Sequence, residues 1–372
     1  MKYFDCFYFV KEVILKKLAL IAAMTTAFAG LAQAQSSVTV FGLLDLGITH
    51  TTATGNGTLN QVSTDQNSSS RLGFRGTEDL GGGLKAGFWL EAAVTPDSGV
   101  GGSTSVDNKS SANPGALTFG RRSTLELSGN LGEVRLGRDY VPTFTNLTVA
   151  HHPFGTNGVG NAGQLFYPVA FGGTTARTNV RASNGINYFS PTVGGFQLNA
   201  MYAMGEQASN SATPNDGKYA GARLSYGNGP LNLAYASGKT QYATGDYTQS
   251  NFAANYVLGN AKLMFLRGEN KVGTAKTTSN MVGVQYKVSA TGEVRAGYTN
   301  LKANGYAASV SDADQIAVGY VHNLSKRTAL YTTYSTVSNK NAGTKFVVGA
   351  GQDITTAGGK STGLDVGIRH SF

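Results

Sequence analysis

Apolar and polar residues alternate one by one along most of this chain. Val38, Val40, Leu44, Leu46 and Ile48 share one phase of a two-residue repeat, and Thr39, Asp45 and Thr49 share the other. Further on, Leu72 and Phe74 oppose Arg71, Arg75 and Thr77, while Leu84, Ala86, Phe88, Leu90, Ala92 and Val94 oppose Lys85, Trp89 and Glu91. The last segment sets Leu364, Val366, Ile368, His370 and Phe372 against Asp365, Gly367 and Arg369. Successive side chains of a strand point to opposite faces, so this period predicts two-faced β-strands rather than amphipathic helices.

The connections alternate in length. Seven short turns (81–83, 129–133, 192–195, 227–230, 258–261, 289–293, 322–327) separate eight longer polar segments (50–69, 95–115, 141–178, 206–217, 243–248, 271–279, 303–312, 340–362). Fifteen connections join sixteen strands, an even number, with lengths near the ~10 residues of a tilted membrane-spanning strand. In hydrocarbon an open sheet edge would leave a row of peptide groups unpaired, at several kcal/mol each. The expected fold is therefore an all-β, 16-stranded antiparallel transmembrane β-barrel, with one face of each strand to lipid and the other to a polar interior.

Composition excludes competing classes. The one apolar run of helical-span length is N-terminal, which is incompatible with a multi-span helical membrane protein. Gly is abundant, at 50 of 372 residues, without the three-residue period of collagen. A single cysteine cannot staple a disulfide-rich fold. Lys16 and Lys17, the apolar stretch 18–31 and Ala32-Gln33-Ala34 read as a secretory signal peptide cleaved after Ala34. Residues 1–15 read as a start-site extension, with the true start near Leu15, and 35–372 as the barrel. Cys6 falls in the removed part, so the exported chain crosses an oxidising compartment without a thiol. That chain keeps 26 Lys and Arg against 19 Asp and Glu. Its basic residues form no cluster interleaved with stacking aromatics, so nucleic acid is not an expected partner.

Several stretches are recognisable together: SSVTVFGLLDLG (36–47), SRLGFRGTEDLGGGLKAGFWLE (70–91), TFGRRSTLELSGNLGEVRLGRDY (118–140), PFGTNGVG (153–160), NVRASNGINYFSP (179–191) and LDVGIRHSF (364–372). Over essentially the whole exported chain they resemble the trimeric general porins of Gram-negative bacteria, of the betaproteobacterial type. The resemblance implies an outer-membrane homotrimer among outer-membrane lipid and lipopolysaccharide. It implies passive diffusion of ions and small hydrophilic solutes, and a terminal Phe372 read by the barrel assembly machinery. It also implies that the third external loop, 141–178, folds inward and narrows the lumen. Pro153, Phe154, Gly155, Thr156, Asn157 and Gly158 would form its tip, and Arg71, Arg122 and Arg181 best match an arginine cluster at the waist.

The strand phase enlarges that cluster. Arg71, Arg75, Arg122, Arg135 and Arg181 fall on the polar face, with the acids Glu91, Glu126 and Asp139 on neighbouring strands, whereas Arg121 and Arg138 fall on the apolar phase. The loop 141–178 contains no Asp or Glu. Arginine stays charged at any relevant pH. A basic wall facing an acid-free loop predicts anion preference, because selectivity in a pore follows the sign of its lining. A channel with a saturable site for anionic solutes is the alternative.

No catalytic, cofactor or metal constellation emerges. Gly158-x-Gly160-x-x-Gly163 lacks the following helix and acid of a dinucleotide site. His151-His152 has no further ligands nearby for a metal and is expected to pack the loop or face the pore. His50, His322 and His370 are too scattered for a Ser-His-Asp arrangement, so an enzyme is not expected.

Overall fold

The computed structural model describes residues 37–101, 117–161, 163–166 and 178–372. The predicted signal peptide, its cleavage site and the start-site extension lie outside the described residues. Sixteen barrel strands follow one another: β1 (Ser37–Ala53), β2 (in two segments, Gly57–Thr64 and Arg71–Gly81), β3 (Leu84–Thr95), β4 (Arg122–Gly129), β5 (Gly132–Tyr140), β6 (Arg181–Phe189), β7 (Phe196–Ala203) and β8 (Tyr219–Asn228). Then come β9 (Leu231–Thr240), β10 (Tyr247–Leu258), β11 (Ala261–Val272), β12 (Ala275–Lys287), β13 (Gly292–Asn304), β14 (Ala313–Asn323), β15 (Thr328–Asn339) and β16 (Lys360–Ser371). Each pairs antiparallel with its chain neighbours, and β16 returns to β1 from Leu43 opposite Ser371 to Ala53 opposite Ser361, which closes the sheet. Among the described residues no helix is long and apolar enough to cross a membrane.

The short turns are built where the chain can reverse within a few residues. Gly81, Gly82 and Gly83 take φ values of 85°, 59° and 82° between β2 and β3, a left-handed run that side chains with a Cβ resist. The segment 50–69 departs from the single long loop predicted for it. β1 instead runs to Ala53, residues 57–64 pair back along 46–53, and 65–70 leave the ladder before 71–77 pair with 37–43. Similarly, 271–279 is a tight hairpin whose strands reach Val272 and restart at Ala275. Strand that stands in water needs no apolar face, so these polar extensions carry no alternation to find.

The two faces of the wall differ as the period requires. Ile48 (68 % exposed), Leu125, Val282, Ile316 and Val366 stand out on one face. Asp45, Thr49, Asn251, Ser279, Thr299 and Asp365 are buried on the other. The terminal Phe372 exchanges backbone hydrogen bonds with Gly42 at 3.0 and 3.1 Å and lays its ring where a Gly42 side chain would be.

Placing a charge on the apolar face tests this assignment. Val282→Arg, at the middle of β12, should lower the stability of the barrel refolded into bilayers by about 2–4 kcal/mol, read from a denaturant titration. An unchanged midpoint would mean that this face does not meet lipid.

Candidate functional site

The segment between β5 and β6 is held against the polar face by side chains from β8, β10, β11, β12 and β14. Its described residues include two short helices, α1 (Pro142–Thr145) and α2 (Gly163–Phe166). Arg223 Nε donates to Asn146 Oδ1 at 2.7 Å, and Asn146 Nδ2 donates to Asn251 Oδ1 at 2.8 Å. Asn255 and Lys262 both donate to the Ala150 carbonyl, at 3.0 and 2.7 Å. Gln285 donates to the Pro153 carbonyl at 3.1 Å, Gln315 to those of Val159 and Asn161, and Ser279 to that of Leu165. These bonds answer the peptide groups of a stretch with little secondary structure of its own.

Bare places on the wall receive the apolar residues of the same segment. A Cβ on Gly283 would stand 2.4 Å from Pro153, and one on Gly319 would stand 2.9 Å from the Phe154 ring. Glycine is required at both because no side chain fits beneath the loop. Val159 and Leu165 join Leu301, Ala313, Val337, Phe346 and Val348 in a buried cluster that also ties down the 340–359 loop. On the other flank, Gly158 N donates to the Asp65 carbonyl and Ser69 Oγ donates to Asn157 Oδ1 at 2.9 Å. The excursion within β2 thus braces the predicted tip.

His151 and His152 pack this loop. Asn255 contacts His151 Nδ1 at 2.9 Å, and Phe154 N donates to His152 Nδ1 at 3.2 Å. Burial pushes both imidazoles down to about 4, with Arg223 and Lys262 adding to the effect at His151. No group of three or more His, Cys, Asp or Glu that could hold a metal occurs among the described residues.

A cavity of about 430 Å³ lies between this loop and residues of β2, β6, β13 and β16. Gly155, Thr156 and Asn157 are among its lining residues from the loop, and Arg71, Arg121, Arg181, Arg295 and Arg369 bring five guanidinium groups to it, beside Tyr140. None of its lining residues is Asp or Glu. Arg121 Nε donates to Glu91 at 2.6 Å, and Arg71 lies 3.7 Å from the same carboxylate. Arg121 and Arg181 both donate to the Tyr140 hydroxyl, at 3.0 and 2.8 Å. The Arg181 guanidinium sits 4.4 Å from the centre of the Tyr140 ring, and Phe144 stacks on that ring at 4.8 Å. Arg71 also donates to the Ser69 carbonyl at 2.8 Å, and Arg295 pairs with Glu293 at 2.7 Å. Of the five guanidinium groups, Arg71 and Arg121 thus share Glu91 and Arg295 pairs with Glu293.

Of the arginines placed on the polar face by phase, Arg71 and Arg181 reach this cavity and Arg75, Arg122 and Arg135 do not. Arg122 pairs with Glu126 and lies 3.8 Å from Asp139. Arg135 pairs with Glu133 and, at 2.9 Å, with Asp139. Arg75 lies over two aromatic rings. Arg121 falls on the apolar phase of the sequence, yet it lines the cavity. The β4 ladder begins at Arg122 opposite Glu91, and Arg121 sits at a bend before it, where strand phase no longer applies. Arg295 and Arg369 were not singled out; Arg369 shares the phase of Asp365, and Arg295 alternates with Val294 and Ala296, so both carried the signal.

Two measurements probe how the loop is held. Gly283→Val should force Pro153 off the wall at about 1–3 kcal/mol, visible as a lower denaturant midpoint. An unaltered midpoint would mean that Pro153 does not rest there. An undocked imidazole titrates near 6.5, against about 4 in place, so the undocked loop binds more protons between these values. Docking is at full strength above pH ~6.5 and weakens as the pH falls toward 4. A nitroxide at Thr156 should gain mobility over that interval, and constant mobility would remove the imidazoles from the account.

Comparison with known proteins places this architecture. A family model for Gram-negative porins matches residues 19–342. The outer membrane porin protein 32 of Delftia acidovorans is 40% identical over 371 residues, covering 96% of this chain and 100% of that protein. An outer membrane porin protein of Bordetella pertussis is 29% identical, covering 96% of this chain and 100% of its own length. The solved structure of an anion-selective porin from Comamonas acidovorans superposes with a TM-score of 0.77 at 37% identity, covering 91% of this chain and 100% of that one. The chain belongs to the Gram-negative porin family and is an outer-membrane β-barrel of sixteen strands.

Proposed function

We propose that this porin is an anion-preferring diffusion channel for ions and small hydrophilic solutes, working as a homotrimer. In this proposal the polar face encloses the lumen, and the segment from Val141 to Phe166 crosses it as the constriction loop. Pro153 and Phe154 anchor the tip on the wall, while Gly155, Thr156, Asn157 and Gly158 narrow the path. The observation that carries the proposal is the cavity walled by Arg71, Arg121, Arg181, Arg295 and Arg369 with no acid in its lining. The anion selectivity named for the Comamonas structure supports the same sign.

Guanidinium groups stay charged and are weakly hydrated, so they replace part of an anion's water shell without holding it fast. Glu91 and the Tyr140 hydroxyl temper that field by engaging Arg71, Arg121 and Arg181. Passage requires this balance, with entry favoured and release still quick. Arg75, Arg122 and Arg135, with Glu126 and Asp139, extend a charged track along the wall. The chain is exported by residues 1–34 as a cleaved signal peptide and inserted among outer-membrane lipid and lipopolysaccharide. Phe372, paired to Gly42 at the seam of the barrel, serves as the signal for the assembly machinery.

Reversal potentials across a planar bilayer in a KCl gradient test the proposal. The wild-type protein should insert in conductance steps grouped in threes and favour chloride. Arg71→Gln with Arg121→Gln should lower the chloride-to-potassium permeability ratio by about tenfold, the equivalent of 1.4 kcal/mol. Cation preference in the wild type would reject it. The size of the arginine cavity, about 430 Å³, also favours a saturable site for small anionic solutes. Chloride current that levels off with rising salt would support that form of the channel over simple diffusion.

A further inference from the structure

We propose that Phe41, Arg75 and Trp89 form a second solute station that takes planar aromatic carboxylates, an inference that rests on the channel proposed above. The three residues come from adjacent strands on the polar face. Arg75 stands opposite Thr39 on β1 and opposite Trp89 on β3, and Phe41 stands opposite Gly73. Gly73 is what brings them together. A Cβ there would meet the Phe41 ring at 2.3 Å, so the missing side chain lets that ring lie across β2 to within 4.9 Å of the Trp89 ring. The Arg75 guanidinium sits 5.3 Å from the centre of the Phe41 ring and 5.1 Å from that of Trp89.

The charge on Arg75 is left for a visitor. Its neighbour Arg122, 4.6 Å from the same indole, is occupied by Glu126 and Asp139. Arg75 is exposed, and among the described residues no carboxylate pairs with it. Phe41 and Trp89 put two large, part-buried rings on a wall otherwise rich in buried Asn, Ser, Thr and Gln, an apolar spot of the kind that marks a ligand-binding surface. A carboxylate attached to an aromatic ring satisfies both parts. Its oxygens take the fork of guanidinium donors, and its ring covers Phe41 and the guanidinium plane, which stacks on aromatic faces. Arg75 lies four residues beyond Arg71 along β2, about 13 Å nearer the short turns. A solute leaving the arginine cavity meets this station next.

Trp89 is the one tryptophan of the chain, so its emission reports on the station directly. The purified wild-type protein in detergent would be titrated with benzoate, cyclohexanecarboxylate and acetate, which share a charge and differ in aromatic surface. Benzoate should shift or quench the emission saturably, with the other two about tenfold weaker, and Arg75→Gln should weaken benzoate by about tenfold. Arg75→Lys, which keeps the charge without the planar fork, should restore only part of the response. Equal responses to benzoate and cyclohexanecarboxylate, or benzoate binding unaffected by Arg75→Gln, would overturn the station. If the wild-type protein gives either of those results and still conducts KCl with chloride preference, the station fails and the channel itself stands.

Discussion

In hydrocarbon, a peptide N–H or C=O without a partner costs several kcal/mol, and a sheet has such groups along each open edge. The seam between β16 and β1 removes both edges at once, with eleven residues of β1, from Leu43 to Ala53, paired across it. Once the ring is closed, a strand cannot slip by one residue without turning its apolar side chains inward and its buried Asp, Asn and Thr toward lipid. Closure, register and the sorting of side chains are thus one constraint seen at three scales.

The polar face is where the fold becomes specific. A wall lined only by polar side chains would hold water and nothing else. Here Gly283 and Gly319 leave places for Pro153 and Phe154, and amide side chains at Asn251, Asn255, Gln285 and Gln315 meet the loop's backbone. The described part of the loop, 141–161 and 163–166, is therefore held by the wall's side chains although it has little regular structure. Its outer edge, left free of acids, looks onto arginines contributed by strands far apart in the chain. Glu91 is the one carboxylate placed between two of them, and it moderates their field instead of cancelling it.

Much of this was legible in the residues. The alternation of Val38 through Ile48 and of Leu364 through Phe372 gave the strand faces, and alternating connection lengths gave the number sixteen. Arg71 and Arg181 followed from phase. Arg121 did not, because a bend before β4 breaks the period at that residue. The strand at 57–64 carries no such alternation, because its residues lack an apolar face. Arg122 and Arg135 pair with Glu126, Glu133 and Asp139 and do not line the cavity, which strand phase cannot tell.

Local chemistry alone settled that this chain makes two-faced strands in a number that can close, because a two-residue period needs only adjacent residues to declare itself. Which arginines share a cavity was decided by the closed ring. It brings Arg71, Arg181, Arg295 and Arg369 together across some three hundred positions of sequence. No local pattern encodes that meeting, since it depends on strand register summed around the barrel and on where a loop of little regular structure finds glycines to rest against.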